Sequence, residues 1–211
     1  MAVPTRRGPR PQKRVAITRA ARTVFGRDGY SRASIDAIAA EACVSTRTLY
    51  NHFESKQQLF VSVLETSAAQ VADGFVANVG RGVSDDDLEG DLIAIGRALI
   101  AQQTDFPEHF AMVRQILPEA PHFPPGVLEA WQEAGPRRVE HEVARRLEQL
   151  AERDLLRVED PAQAAVHLIA LTAFPITTRA RYGEPALTKR ETTRIITEGV
   201  RVFLHGYATD P

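Results

Sequence analysis

The chain has 211 residues, 44% of them hydrophobic and 25% charged, and a formal net charge of −1. This composition excludes a disordered chain, and the single cysteine, Cys43, excludes a disulfide framework and a cysteine-rich zinc site. The longest nearly apolar run, 168–176, is too short to span a bilayer, and no apolar segment follows the basic N-terminus, so neither a membrane span nor a secretory signal is expected. We therefore predict a cytoplasmic protein without a metal or another cofactor.

Charge is distributed unevenly along the chain. Residues 1–60 hold eleven lysines and arginines against four acidic residues, a net charge of +7, whereas residues 61–211 carry −8. A basic segment joined to an acidic body favours contact between the first 60 residues and a polyanion. The alternative is a basic face that contacts only water.

Helical periodicity runs through almost the whole chain and predicts an all-α fold of about nine helices. Residues 1–11, rich in proline, glycine and arginine, are predicted to form a disordered basic arm. The helices are expected at about 12–28, 34–41, 45–52 and 55–80, from 84 onward, and at 110–117, 125–153 with a kink at 135–136, 160–181 and 188–206.

Local signals mark several helix ends. Gly29 stands where the first helix should end in a residue of positive φ. The expected N-terminal caps are Ser34, Ser45, Ser55 with Gln58, Ser84 before three aspartates, Asp160 before Pro161, and Thr188 with Glu191.

The two short helices at 34–41 and 45–52 have the spacing of a helix-turn-helix, because only three residues join them. At about 100° per residue, a second helix with Leu49, Phe53 and Ser45 inward presents a polar outer face that contains no acid. The outward side chains are Arg47, Thr48, Tyr50 and Asn51, with Thr46 and His52 at the boundary. These groups suit base edges and phosphates. An ordinary amphipathic helix is the alternative, but the spacing, the missing acids and the +7 segment together favour DNA.

The same region resembles the TetR family of transcriptional regulators over about residues 14–64. The resemblance is carried by Gly29-Tyr30, Ser34–Ala39, Val44–Phe53, Lys56 and Leu59. It implies an all-helical homodimer in which residues 12–54 bind operator DNA and residues 55–211 bind a small-molecule effector. It also implies that the last two helices form the dimer seam.

The resemblance assigns DNA contacts residue by residue. Thr46, Arg47 and Thr48 would face the major groove, and Tyr50, His52 and Lys56 would hold phosphates, as would Ser34. The full predicted DNA-binding set is Ser34, Ser45, Thr46, Arg47, Thr48, Tyr50, Asn51, His52 and Lys56.

The effector site is predicted only from apolar and aromatic residues of the C-terminal part. Its expected lining is Phe110, Val113, Trp131, His167 and Phe174. The alternative is that the aromatic residues belong to the hydrophobic core and that His167 is a core histidine bonded to a neighbour.

The turn between the two short helices departs from the family pattern, since Cys43 stands where the family usually has glycine. A cysteine at positive φ would be strained by ~1–2 kcal/mol. A redox-sensing thiol is one hypothesis, but we favour a small, half-buried residue without that function.

No enzyme motif is complete. His141-Glu142 begins like a zinc-protease motif, but Arg145 replaces its second histidine, and nucleophile-elbow and phosphate-loop motifs are missing. Together with the resemblance to the TetR family, this predicts a non-enzymatic repressor that a small-molecule effector releases from a palindromic operator. A non-specific architectural DNA-binding protein without an effector and, more remotely, an all-helical enzyme are the alternatives.

The helices at about 161–181 and 189–205 are more apolar than one core needs, which predicts a two-fold homodimer with these helices in its seam. The residues expected to be too many for one subunit's core are Leu168, Leu171, Ile176, Ile196, Phe203 and Leu204.

Overall fold

The computed structural model describes residues 10–82, 87–123, 125–181 and 184–209. That part of the chain forms eleven α-helices and one 3₁₀ helix. The α-helices are α1 (Arg10–Arg32), α2 (Ile35–Glu41), α3 (Thr46–Tyr50), α4 (Lys56–Gly82), α5 (Leu88–Asp105), α6 (Pro107–Ile116), α7 (Val127–Ala134), α8 (Pro136–Ala151), α9 (Pro161–Thr172), α10 (Phe174–Arg181) and α11 (Lys189–Tyr207). The 3₁₀ helix is Leu117–His122. Most of the predicted arm, and the predicted cap Ser84 with the first two aspartates, lie outside the described residues.

Two of the predicted helices are each divided in two, which accounts for eleven helices where about nine were expected. The helix predicted at 125–153 breaks at Gly135 (φ −132°, ψ −80°), and Pro136 then starts α8. The helix predicted at 160–181 breaks at Ala173, because Pro175 has no N–H to continue the hydrogen-bond ladder of α9.

The caps that fall on described residues form almost as predicted. Ser34, Ser45 and Asp160 each accept a backbone N–H of the first turn, and Thr188 and Glu191 make a complete capping box. Ser55 Oγ accepts the N–H of Gln58, but the Gln58 amide oxygen turns to the N–H of Glu54 at 2.6 Å instead. Asp87 caps α5.

Contacts divide the chain into two compact units. Unit 1 contains the residues up to Ala68 together with Pro107–Trp131, and unit 2 contains Ala69–Phe106 and the residues from Gln132 onward. The predicted boundary between residues 54 and 55 separates two expected functions, whereas these two units are defined by contacts between residues. The division into a DNA-binding and an effector-binding part therefore stays a prediction.

Unit 1 is built around α1, with α2, α3, the start of α4 and α6 packed on it. Its largest fully buried side chains are Phe25, Phe53, Phe60, Ile17, Ile38, Leu49, Leu59 and Leu64. Gly29 has φ +79° as predicted, although ψ is 174° and α1 resumes for one more turn after it. This corner between α1 and α2 sets where α2 begins.

Unit 2 packs α5, α8, α9 and α11 around a second core. Gly199 lets α11 approach α9 closely, because a Cβ there would collide with the Leu171 carbonyl. Leu168, Ile196 and Phe203 are fully buried in this core. Leu171, Ile176 and Leu204, the other three residues predicted to exceed one subunit's core, are only partly buried. That the six could not all pack inside one subunit therefore stays a prediction.

One described helix, Lys56–Gly80, is long and apolar enough to cross a membrane. Half of its apolar stretch is already buried inside the protein. A core helix passes the same test, so this finding is weak support for a membrane span.

Cys43 adopts the strained conformation expected for it, with φ 52°. Its side chain is exposed rather than half-buried as favoured from the sequence, because the turn points it away from the core.

Replacing Cys43 with glycine is expected to raise the free energy of unfolding by about 0.5–1 kcal/mol. Relief of about 1–2 kcal/mol of backbone strain is partly offset by the greater entropy of glycine in the unfolded chain. Urea denaturation at an unchanged m-value measures the difference. Cys43→Ala keeps the Cβ and is the control; equal stability of the alanine and glycine variants would contradict the strain.

Candidate DNA interface

The recognition helix α3 is held by its cap and by two anchors. Ser45 Oγ accepts the N–H of Thr48 at 3.1 Å and lies 2.9 Å from the Thr48 hydroxyl. Leu49 and Phe53 are buried in the unit 1 core, as the helical projection predicted. Ser45, which the projection also placed inward, is exposed, because it is the extended N-cap residue and not part of the helix. The Thr48 hydroxyl therefore belongs partly to the cap, and its side chain is only half exposed.

The outward face of α3 is open. Arg47, Tyr50 and Asn51 are exposed, and within the described residues none of their side-chain polar atoms has a hydrogen-bond partner. Thr46 and His52 are half-buried at the edges of this face. A guanidinium, a phenol and an amide are thus free to bind an external acceptor or donor.

Arg14 ties the end of this region to α1, which sequence reasoning did not anticipate. One guanidinium nitrogen donates to the His52 carbonyl at 3.2 Å, and the guanidinium lies 4.3 Å from the centre of the Phe53 ring. The sequence shows only that Arg14 is basic, because its partner is 38 residues away. Arg14 therefore stabilises the residues that follow α3, and its guanidinium is partly occupied by these internal contacts.

Lys56 is also partly engaged within the protein. Its ammonium donates to the Ser31 carbonyl at 3.2 Å and lies 4.7 Å from the centre of the Tyr30 ring. Burial lowers the pKa of Lys56, and the nearby Glu119 carboxylate opposes that shift. One hydrogen-bond donor of the ammonium is used in this way, and two stay available for a phosphate.

Ser34 is exposed at the start of α2, but its hydroxyl accepts the N–H of Ala37 at 3.1 Å. Ser34 and Ser45 thus serve as caps within the described structure. A phosphate contact by either residue would involve the hydroxyl hydrogen or the neighbouring backbone.

The predicted effector residues divide between the two units. In unit 1, Val113 is buried and Phe110 and Trp131 are half-buried, with Phe110 edge-on to His109 at 5.1 Å. The indole N–H of Trp131 is buried and has no hydrogen-bond partner in the part of the chain that the structure describes. In unit 2, His167 and Phe174 are exposed. Whether the five residues line one site stays a prediction.

His167 is not a core histidine, which corrects that alternative. Its two ring nitrogens lie 2.7 Å from the Tyr207 hydroxyl and 2.9 Å from the Gln163 amide nitrogen. It is bonded to neighbours as expected, but on an exposed face of α9. The helix is apolar around much of its circumference, so the sequence could not separate the covered face from the open one.

A buried polar pair in unit 1 also escaped the sequence reasoning. His109 Nδ1 lies 2.7 Å from the Ser67 hydroxyl, and both residues are buried. Burial, aided by the positive charge of Arg22, lowers the pKa of His109 to about 4. The imidazole is therefore neutral at physiological pH.

Among the described residues, no group of three or more histidine, cysteine, aspartate or glutamate side chains could hold a metal ion.

Comparison with known proteins agrees with this geometry. The family described as "Bacterial regulatory proteins, tetR family" matches residues 17–63, and "AefR-like transcriptional repressor, C-terminal domain" matches residues 90–209.

Individual proteins are similar over the whole chain or over part of it. A protein from Mesorhizobium loti MAFF303099, assigned to the TetR family, is 29% identical and superimposes with a TM-score of 0.86 over 96% of this chain and 100% of its own. The flavonoid-responsive regulator FrrA is 26% identical, with a TM-score of 0.77 over 95% of this chain and 100% of its own.

The HTH-type transcriptional activator FasR of Mycolicibacterium smegmatis is 40% identical over 66 residues. That match covers 31% of this chain and 30% of FasR, so it spans less than a third of that relative.

The C-terminal family match alone covers more than half of the chain, and the helix-turn-helix of α2 and α3 lies within the N-terminal match. The resemblance inferred from the sequence is confirmed: the chain belongs to the TetR family of bacterial transcriptional regulators.

Proposed function

We propose that the chain is a ligand-responsive repressor that releases a palindromic operator when a small-molecule effector binds. The observation that carries the DNA part is the open polar face of α3, with Arg47, Tyr50 and Asn51 exposed and without partners among the described residues. Leu49 and Phe53 anchor the opposite face in the core, so the outer groups are presented on a fixed element.

Each predicted DNA residue has a role in this proposal. Thr46, Arg47 and Thr48 face base edges in the major groove, as the second helix of a helix-turn-helix does. The residues proposed to hold phosphates or to cap the helices beside them are Ser34, Ser45, Tyr50, Asn51, His52 and Lys56. The basic segment before residue 60 supplies a non-specific attraction to DNA.

A homodimer through α9, α10 and α11 gives the two-fold symmetry that a palindromic operator needs. The support is a set of exposed apolar side chains on these helices: Val166, Phe174 and Val202. A cytoplasmic location follows from the DNA target.

Selection of binding sites from random duplexes tests the DNA part of the proposal. We expect an inverted repeat whose half-sites lie about one helical turn apart, and a clear affinity advantage over random DNA. A reporter gene placed behind the selected site should be less active when the protein is present. Equal affinity for all sequences would contradict a specific regulator. Activation of the reporter would instead make the protein an activator, which is what FasR is named.

The effector part is supported by Trp131, whose buried indole N–H has no partner among the described residues and would bind a ligand acceptor. FrrA is named a flavonoid-responsive regulator. We propose a planar aromatic effector that carries hydrogen-bond acceptors, with a flavonoid as the first probe.

The same selected duplex tests this effector class, because Trp131 is the chain's single tryptophan and its fluorescence reports on one place. A bound flavonoid should quench that fluorescence and release the duplex over the same concentration range. A flavonoid that produces neither effect would exclude this class.

A further inference from the structure

Glu119 stands on a stiff element of unit 1 that faces the corner between α1 and α2. It lies in the 3₁₀ helix Leu117–His122, between Pro118 and Pro121, whose rings fix φ on both sides. Phe123, directly after this helix, packs edge-on to Tyr30 and Phe60, with ring centres 5.7 and 5.2 Å apart. The 3₁₀ helix is therefore attached to the corner by the aromatic contacts of Phe123 as well as by the Glu119 carboxylate.

The Glu119 carboxylate accepts three hydrogen bonds from two consecutive residues. The N–H groups of Tyr30 and Ser31 donate at 3.1 and 2.8 Å, and the Ser31 hydroxyl donates as well. Burial tends to raise the pKa of Glu119, but these hydrogen bonds outweigh it and leave the pKa below the ordinary value. The group is thus an ionised acceptor at physiological pH, and such charge-assisted bonds hold their donors firmly.

Ser31 is consequently held from both sides. Glu119 binds its N–H and hydroxyl, while its carbonyl accepts the ammonium of Lys56 at 3.2 Å. The Tyr30 ring lies 4.7 Å from that ammonium, and the backbone N–H of Tyr30 donates a hydrogen bond to Glu119. Both groups that orient Lys56 are therefore fixed by one carboxylate.

We propose that Glu119 is a positioning residue of the DNA interface: through Ser31 and Tyr30 it aims the ammonium of Lys56 at a DNA phosphate. This rests on the proposed function, in which Lys56 holds a phosphate. It adds that a residue 63 positions after Lys56 sets the strength of that contact. Movement of the 3₁₀ helix then changes operator affinity by changing the orientation of Lys56.

The test measures binding to a duplex selected with the wild-type protein, at several salt concentrations. Because the proposed dimer carries Lys56 in both subunits, Glu119→Ala should lower the slope of log affinity against log salt by about 1.8, the value for one phosphate contact in each half-site. It should weaken binding about sixtyfold at 0.1 M salt. Glu119→Gln keeps a carbonyl acceptor for the N–H groups and should recover part of the affinity.

Glu129→Ala is the matched control, because Glu129 is exposed on α7 of the same unit and its removal changes the net charge equally. The control should keep the wild-type slope. A double variant supplies a measurement that would not change in this way if Glu119→Ala only lowered stability. Glu119→Ala combined with Lys56→Ala should bind no more weakly than Lys56→Ala, because Glu119 acts through Lys56.

The outcomes separate this proposal from the proposed function. If the wild-type protein does not distinguish the selected duplex from random DNA, the proposed function fails first. If it does, a control-like slope for Glu119→Ala, or additive losses in the double variant, would overturn the role of Glu119. Should Glu119→Ala lose helicity, Glu119→Gln carries the same measurements: a slope reduced from wild type supports the proposal, and an unchanged slope overturns it.

Discussion

Val202→Asp is expected to convert the protein to monomers and to weaken operator binding by about a hundredfold or more. Val202 is 60% exposed on α11, and Phe174 and Val166 are 59% and 48% exposed on α10 and α9. A stable seam buries about 1,200 Å² or more, and an unpaired carboxylate inside it loses its hydration. A monomer also forfeits the effective concentration that links two half-site contacts, typically a factor of 10²–10⁴.

The choice of Val202 follows from the structure. Leu168 and Ile196 are fully buried in the unit 2 core. A carboxylate at either position would unfold the unit, and loss of the dimer would then say nothing about the seam. Val202 contributes little to that core, so its substitution tests dimer assembly without unfolding unit 2.

Sedimentation at micromolar concentration and operator binding are the two measurements. Val76→Asp is the matched control, since Val76 is an exposed valine of unit 2 on a different helix, α4. Helicity should be the same in both variants. A wild-type monomer, or a Val202→Asp dimer with undiminished operator affinity, would contradict the proposed seam and the palindromic operator with it.

Much of the fold was predictable because its signals are local. The caps at Ser34, Ser45, Asp160 and Thr188 depend on residues within one turn, and the inward face of α3 depends only on helical geometry. The break before Pro175 was also a local signal, but the apolar pattern continued across it and suggested one helix. Proline outweighs periodicity there because it removes a backbone donor.

The remaining features depend on contacts between distant residues. Apolar residues surround much of α9, and only the packing of α8 and α11 decides that Leu168 is buried while Val166 is open. In the same way, Glu119 and Arg14 look like ordinary charged residues in the sequence. Their partners, Ser31 and the His52 carbonyl, are brought to them only by the fold.

Arg47→Ala is expected to cost about 1–3 kcal/mol of specific binding in each half-site, a loss of about 5- to 150-fold per half-site, if Arg47 reads a base. Its guanidinium is exposed on α3 and has no partner among the described residues, so it need not break an internal bond to reach DNA. Because the substitution removes a base contact, the selected sites should also lose their preference at one position in each half-site. Affinity for random duplexes should fall much less.

Lys56→Ala is the contrasting variant, because a phosphate contact carries no sequence information. It should weaken specific and random duplexes by similar factors and reduce the salt slope by about 1.8, or about 0.9 for each half-site, while leaving the selected sequence unchanged. Site selection with both variants therefore distinguishes the two roles. If Arg47→Ala selects the wild-type sequence with undiminished preference at every position, Arg47 is a phosphate contact. Base recognition would then have to come from Thr46 and Thr48, although the Thr48 hydroxyl is already engaged with Ser45.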